Sequence, residues 1–326
     1  MRRVFFMVLC ITMVMLTACT KETNENGVNE ESNTSVDVQE TTITFTDDLG
    51  REITVNNPQR VATLLGSFAD MWVLAGGEVC ASPDDAWNDF NLDMPKDAVN
   101  LGQTKQLNLE KLFESQPDFI IASKNTKIDV EWKETLEHSG IPTAYFDVND
   151  FEDYLRVFKI FTDITGREEL YEKYGTSIQK EIEDVIAQSK ERIANDGNPK
   201  VLSLRASAAY IRAKNSEDNV LGELLKDLGC INIADSEESL LENLSLEYIL
   251  EEDPDFIFFV PIGDDKEKVD ATIQTFIDEN PAWQELTAVK EGRVYVMEKM
   301  LYNLKPNAKW AESYEKLERI LSNEQE

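Results

Sequence analysis

Between residues 42 and 56, apolar and polar side chains alternate in two runs, "TITFT" and "EITV", around Asp47-Asp48-Leu49-Gly50. A period of two buries one face of a strand, and Asp and Gly favour the turn between, so the stretch predicts a β-hairpin. Short apolar runs and helical runs then take turns. "RVATLL" precedes the helical "FADMWVLAGG", "EVCAS" precedes a helix over 109–115, and "DFIIAS" precedes "VEWKETLEHSG" and "IPTAYFDV". Strands separated by helices imply a parallel sheet wrapped by helices.

The pattern lengthens at 151. Tyr154, Leu155, Phe158 and Phe161, then Tyr174, Ile178, Ile182 and Ile186, recur near helical spacing, with Asp150 placed to cap the start. Thr165-Gly166 and Gly175 predict breaks or bends, because glycine costs about 1 kcal/mol inside a helix. "NDGNP" at 195–199 ends the helical stretch, and strand-helix alternation resumes with "KVLSLRA", "NVLGELLKDLG", "CINIA", "DFIFFV" and "GRVYVM". The predicted architecture is α/β. Two similar lobes, 41–150 and 195–326, each a mainly parallel sheet flanked by helices, are joined by a helical linker over 151–194.

One phrase occurs twice. "NLEKLFESQPDFIIAS" at 108–123 aligns without gaps on "SLEYILEEDPDFIFFV" at 245–260, agreeing at Leu109/Leu246, Glu110/Glu247, Glu114/Glu251 and at Pro-Asp-Phe-Ile 117–120/254–257. The same helix-strand unit is therefore expected in each lobe.

The first 18 residues carry two arginines, an apolar run too short for a usual membrane span, and small residues before Cys19, which is the make-up of a secretory signal. Residues 19–40 are nearly devoid of apolar side chains and read as a flexible tether. The formal net charge is −31. Such a surface makes nucleic acid a poor partner, and basic side chains gathered near a pocket stand out against it. Cys80 and Cys230, in short apolar segments of different halves, read as buried thiols without a disulfide between them.

In an open α/β sheet, ligands bind beyond the carboxyl ends of the strands. The loops that qualify are 66–68, 83–90, 123–126, 205–214, 261–264 and 297–303. They carry Phe68, Trp87, Phe90, Tyr210 and Tyr302, rings suited to a large and partly apolar ligand. They also hold Lys124, Arg205, Arg212 and Lys214, of which Arg205 closes a buried strand and suits carboxylate or catecholate oxygens. His138 is the single histidine, too few for a histidine-built metal site, and the "TDD", "SPDD" and "GDD" segments read as turns and caps. No metal site is expected, and any metal arrives already chelated. A G-x-S-x-G elbow, a Cys/His pair and a P-loop are all missing, so the chain is not expected to be an enzyme.

Taken in order, "FTDDLGREITV", "PQRVATLLGS", "NLGQ" before the first doubled phrase, the long helical connection and the second phrase resemble the helix-linked substrate-binding lipoproteins of ABC importers. That family includes binders of ferric siderophores, haem and vitamin B12, and the resemblance runs from about Thr41 to Asn323. Leu16-Thr17-Ala18-Cys19 likewise resembles the bacterial lipobox, which implies a lipidated Cys19 and an exported monomer held at the outer face of the cytoplasmic membrane. The resemblance implies that a permease dimer with its ATPase is the partner and that Glu110 and Glu247 dock into arginine pockets on the permease subunits. With no cofactor of its own, the chain would hold its cargo through Phe68, Trp87, Lys124, Arg205, Tyr210, Arg212 and Tyr302. An iron chelate of siderophore type ranks first, haem second, with Met297, Met300, Tyr210 or Tyr302 as iron ligands, and a cobamide third. The competing functions are a surface-anchored hydrolase working through carboxylates and a sensor lipoprotein that transports nothing.

Overall fold

The computed structural model describes residues 42–323 apart from 218, 237, 238, 243, 244, 264 and 280; the expected leader 1–18, the tether 19–40 and Cys19 lie outside the described residues. The hairpin forms as β1 (Thr42–Thr46) and β2 (Glu52–Asn56), paired antiparallel. Its turn is wired to the first lobe. Asp47 accepts the backbone N–H of Arg51 at 3.0 Å and of Tyr145 at 3.2 Å, while Arg156 donates to Asp48 at 2.7 Å.

The first lobe is a parallel sheet of β3 (Val61–Thr63), β4 (Val79–Ser82), β5 (Val99–Asn100), β6 (Phe119–Ser123) and β7 (Thr143–Phe146), in the order β5-β4-β3-β6-β7. The second places β8 (Lys200–Ala206), β10 (Ile231–Asn232), β11 (Phe256–Pro261) and β12 (Val294–Val296) in the order β10-β8-β11-β12, all parallel, with β9 (Ile211–Lys214) antiparallel on β8. Each order reverses about its first strand. The segment 205–214, expected as a loop, is thus a hairpin: β8 outruns β10, which covers only Lys200 and Val201, and β9 pairs with the uncovered end.

The doubled phrase becomes helix Leu109–Glu114 feeding β6 and helix Leu246–Glu252 feeding β11. Asn108 caps the first helix by accepting from Lys111 N, and Ser245 caps the second by accepting from Tyr248 N. The shared Pro-Asp has a specific task. Asp118 accepts the backbone N–H groups of Gln59 and Arg60 at 2.8 and 2.9 Å, and Asp255 accepts that of Lys200 at 2.8 Å. In both lobes one carboxylate therefore fixes the chain as it enters the central strand. The Phe-Ile that follows divides between two faces: Phe119 and Phe256 enter a cluster common to both lobes, while Ile120 and Ile257 enter a cluster of their own lobe.

Linker helix Phe151–Thr165 starts at Asp150, whose carboxylate accepts from Asp153 N at 2.7 Å, and stops at Gly166 in the left-handed region, φ +67°. At Gly175 the chain does not break. It widens into a π-turn, Glu172–Thr176, before helix Ser177–Asp196, and a Cβ at Gly175 would meet Leu155 and Tyr171 at 3.2 Å. The closing helix Trp310–Leu321 returns along this linker. Arg192 and Glu318 form an ion pair at 2.7 Å with side chains 8% and 9% exposed, and Arg192 also donates to Leu228 O at 3.0 Å.

The chain between the second lobe and this helix crosses to the first lobe. Buried Asn307 donates from Nδ2 to Ser67 O at 2.9 Å and to Asp70 at 2.7 Å, and Trp310 meets Phe151 edge to face. The segment 195–326 thus serves both lobes. Cys80 and Cys230 are free thiols, each pushed above its usual pKa by burial.

Removing one partner of a buried ion pair leaves an uncompensated charge, which costs about 3–5 kcal/mol, whereas replacing both by apolar groups of similar volume is close to neutral. Arg192→Ala should therefore lose about that much in urea unfolding, while the double change Arg192→Met with Glu318→Leu should recover most of it.

Candidate functional site

The carboxyl edges of the two sheets face a cleft of about 1100 Å³. One wall comes from the chain after β3, β4 and β5, including Ser67, Asp85 and Thr104; the other comes from the ends of β8, β11 and β12, including Arg205, Pro261 and Met297. The crossing segment, through Leu304 and Lys305, adds to the lining.

Arg205 is delivered by sheet register. In the β8/β9 pair Arg205 stands opposite Arg212, and Ser203 opposite Lys214. Opposed residues share a face, so Leu204, Ala206, Ile211 and Ala213 turn into the second lobe's core while Arg205, Arg212 and Lys214 turn away from it. Tyr210 joins them, 42% exposed, with the Arg212 guanidinium 4.8 Å from its ring centroid. Arg205 itself is partly buried and, among the described residues, makes no ion pair and no side-chain hydrogen bond; burial pulls its pKa below the usual guanidinium range.

The opposite wall is acidic. Both Asp85 oxygens accept Gly66 N, each at 3.0 Å. Position 66 must be glycine, since a Cβ there would lie 2.6 Å from Ala86 N. Desolvation, aided by Asp89 and Asp84, pushes Asp85 up to about 6. Away from the cleft lining, under the loop after β6, Asp129 is fully buried, accepts Ser123 N at 2.7 Å and is pushed by desolvation to about 8. Across the cleft Lys299 donates to both oxygens of Asp89, at 3.0 and 2.9 Å, joining the lobes.

Several expected contact residues lie elsewhere. Phe68 is fully buried and packs edge to face on Phe146, because the first turn of helix Gly66–Leu74 points it into the shared core. Tyr302 is buried too, its hydroxyl donating to Ser313 O at 3.0 Å. Trp87 packs against the shared cluster while its neighbours Asn88, Asp89 and Phe90 line the cleft. Lys124 is exposed after β6, on the far side of β3 from the strands whose loops form the wall. His138 is exposed, its Nδ1 donating to Glu134 O at 2.6 Å. Of the seven, Arg205 lines the cleft, and the hairpin holds Tyr210 and Arg212 beside it. Pattern reading missed Asp85, Lys299 and Lys305; "SPDDAW" and the Lys-Pro after 303 were the visible signs of two of them.

Two lobes meeting over a cleft at their sheet edges, joined by a helix rather than by strands, define a ligand receptor. Residues 61–301 match the model of the periplasmic binding protein family, and the chain belongs to that family. It is 26% identical over 243 residues to the iron-uptake system-binding protein of Bacillus subtilis (strain 168), covering 74% of this chain and 68% of that one. The Fe(3+)-citrate-binding protein YfmC of the same organism is 26% identical over 306 residues, 88% of this chain and 86% of the relative. The fold superposes on Staphylococcus aureus SirA complexed with staphyloferrin B at a TM-score of 0.64 and 23% identity, covering 86% of this chain and 98% of that one. The relatives are substrate-binding transport proteins, so this is a binding protein of the extracytoplasmic kind and not an enzyme. Among the described residues no helix is long and apolar enough to cross a membrane.

Asp85 gives a test of the acidic wall. Its folded pKa lies above the unfolded value of 3.8. The neutral form is thus favoured in the folded protein, and stability is lost as pH rises from about 4 through about 6, by up to about 3 kcal/mol. Asp85→Asn, neutral throughout, should gain on the wild type by up to that amount between about pH 4 and about pH 7, read from urea midpoints of both proteins.

Proposed function

We propose that this chain is the cargo receptor of an ABC importer and captures an iron chelate of siderophore type in the interlobe cleft. The observation that carries this is Arg205, a partly buried guanidinium without a counter-ion among the described residues, facing a large cavity in a chain of net charge −31. A guanidinium binds carboxylate or catecholate oxygens by charge-assisted, bidentate hydrogen bonds. Tyr210 and Arg212 stand beside it to extend the contact. The relatives named for iron uptake and Fe(3+)-citrate support the same cargo. The protein contributes no cofactor; the metal enters inside its chelate.

Capture ends in delivery to a permease dimer. A helix between parallel strands runs antiparallel to them, so helices Leu109–Glu114 and Leu246–Glu252 begin at the carboxyl edges of their sheets, on the side of the cleft. Glu110 and Glu247, in those first turns, are exposed and make no ion pair or side-chain hydrogen bond among the described residues. One glutamate per lobe supports a partner with one acidic-group receptor per subunit. Lipidation at Cys19 would keep the receptor at the outer face of the membrane, beside that partner, as a monomer.

Protein purified from its own host should carry iron and a chelate band in native mass spectrometry and absorption spectra. Arg205→Gln should weaken the recovered chelate about ten- to a hundredfold. A porphyrin or corrinoid spectrum, or tight binding of a metal-free sugar or amino acid, would sink the proposal. Reversing both Glu110 and Glu247 to Lys should abolish uptake with cargo affinity unchanged; a fall in affinity would count against docking.

A further inference from the structure

Lys305 is a second cation in the cleft with no counter-ion among the described residues. It sits on the crossing segment, lines the same cavity as Arg205, and is partly buried. Among the described residues its ammonium donates to one group, the backbone carbonyl of Val148 in the first lobe. An ammonium has three N–H donors, so two remain for another acceptor. Asp147 and Asp153 act on it from outside ion-pair contact, and both are engaged elsewhere, Asp147 by Asn125 at 2.6 Å and Asp153 by Arg156 at 2.9 Å. Burial pushes the Lys305 pKa down, as expected for a charge short of partners.

Three carboxylates around the cavity are in the opposite condition. Asp89 is paired with Lys299, Asp270 with Lys266 and Glu298 with Lys316. Asp85 is held by the Gly66 amide, and Asp84 has a partner as well. Arg205 and Lys305 are thus partly buried cations of the lining without an ion pair among the described residues, with exposed Lys105 beside them, while Asp85 stands on the first-lobe wall without a cation of its own. Arg205 belongs to the second lobe's sheet, whereas Lys305 is tied to the first lobe through Val148.

Resting on the reading of the cleft as a site for an iron chelate, we propose that the cargo is a polyanionic chelate of the polycarboxylate class, with one anionic group on Arg205 and a second on Lys305. Such a cargo bridges the lobes through its own charges. A neutral or cationic chelate, such as a ferric trihydroxamate, leaves both partly buried cations uncompensated and is rejected for that reason.

The test is equilibrium binding to the intact protein, followed by intrinsic fluorescence, with three probes: ferric citrate in excess citrate, a ferric trihydroxamate without net negative charge, and haemin. Ferric citrate should bind tightest and weaken with added salt. Lys305→Met should lower its affinity about ten- to a hundredfold, and Lys305→Arg, which keeps the charge, should restore most of it. Trihydroxamate binding as tight as that of ferric citrate overturns the inference and leaves the iron-chelate reading standing. So does an unchanged citrate affinity in Lys305→Met with a wild-type unfolding profile. If Lys305→Met does not fold, the wild-type ranking of ferric citrate over the trihydroxamate, with its salt dependence, decides in the same sense. Binding of haemin alone, or of none of the probes, overturns the iron-chelate reading and this inference with it.

Discussion

Every part of this molecule answers to one requirement: a parallel sheet must bury both of its faces. Each lobe covers one face with its own helices, around Ile120, Ala122 and Tyr145 in the first and Ile257, Phe259 and Leu204 in the second. The other faces, with Phe119 and Ile121 on one side and Phe256 and Phe258 on the other, enter a single cluster that also takes in the linker and the closing helix. The lobes are thus separate as sheets but not as cores. Any wide opening would draw apolar surface out of that common cluster, at about 25 cal/mol per Å² exposed. Movement is confined to what the cleft edges and the crossing segment permit.

The same requirement decides where charge can gather. Positions facing the second lobe's own core on β8 and β9 are taken by Leu204, Ala206, Ile211 and Ala213, so Arg205, Arg212 and Lys214 fall on the other face, at the end of the strand pair beyond the buried Val201 and Ser203. Directly opposed like charges destabilise a strand pair. Arg205 and Arg212 are held in that relation by the register, and a stacked Tyr210 ring relieves it only in part. An anion seated between them would remove the repulsion, which makes the hairpin's own energetics favour an occupied cleft.

Much of this was legible because it is local. The lobes, the linker and the doubled helix-strand unit follow from periodicity that neighbouring residues express without outside help. Asp150 and Gly166 were readable as cap and stop for the same reason. The site was less legible because it depends on which way a side chain turns. Phe68 and Tyr302 share their loops with true lining residues, yet one helical turn sends each into the core. Lys124 follows a central strand but lies beyond the switch in strand order, where the cleft wall does not reach. Lys305 escaped because its segment acquires meaning only on docking to the first lobe, a contact no window of sequence contains. Arg205 was within reach, since a charge ending a buried strand has to emerge at the sheet's edge.

The doubled phrase shows how one local unit divides its work. Pro-Asp serves folding, because Asp118 and Asp255 each accept backbone amides at the entry to the central strand. Phe-Ile serves packing, one residue to the shared core and the next to the lobe's own. Neither task involves the glutamate at the helix start. Glu110 and Glu247 would each gain about 0.3–1 kcal/mol from the helix dipole, and an aspartate or an exposed glutamate elsewhere in the first turn would gain as much. Position and spacing, rather than charge alone, are what the two copies keep. The glutamates at the helix start are thus shared by the two copies without being used in either task.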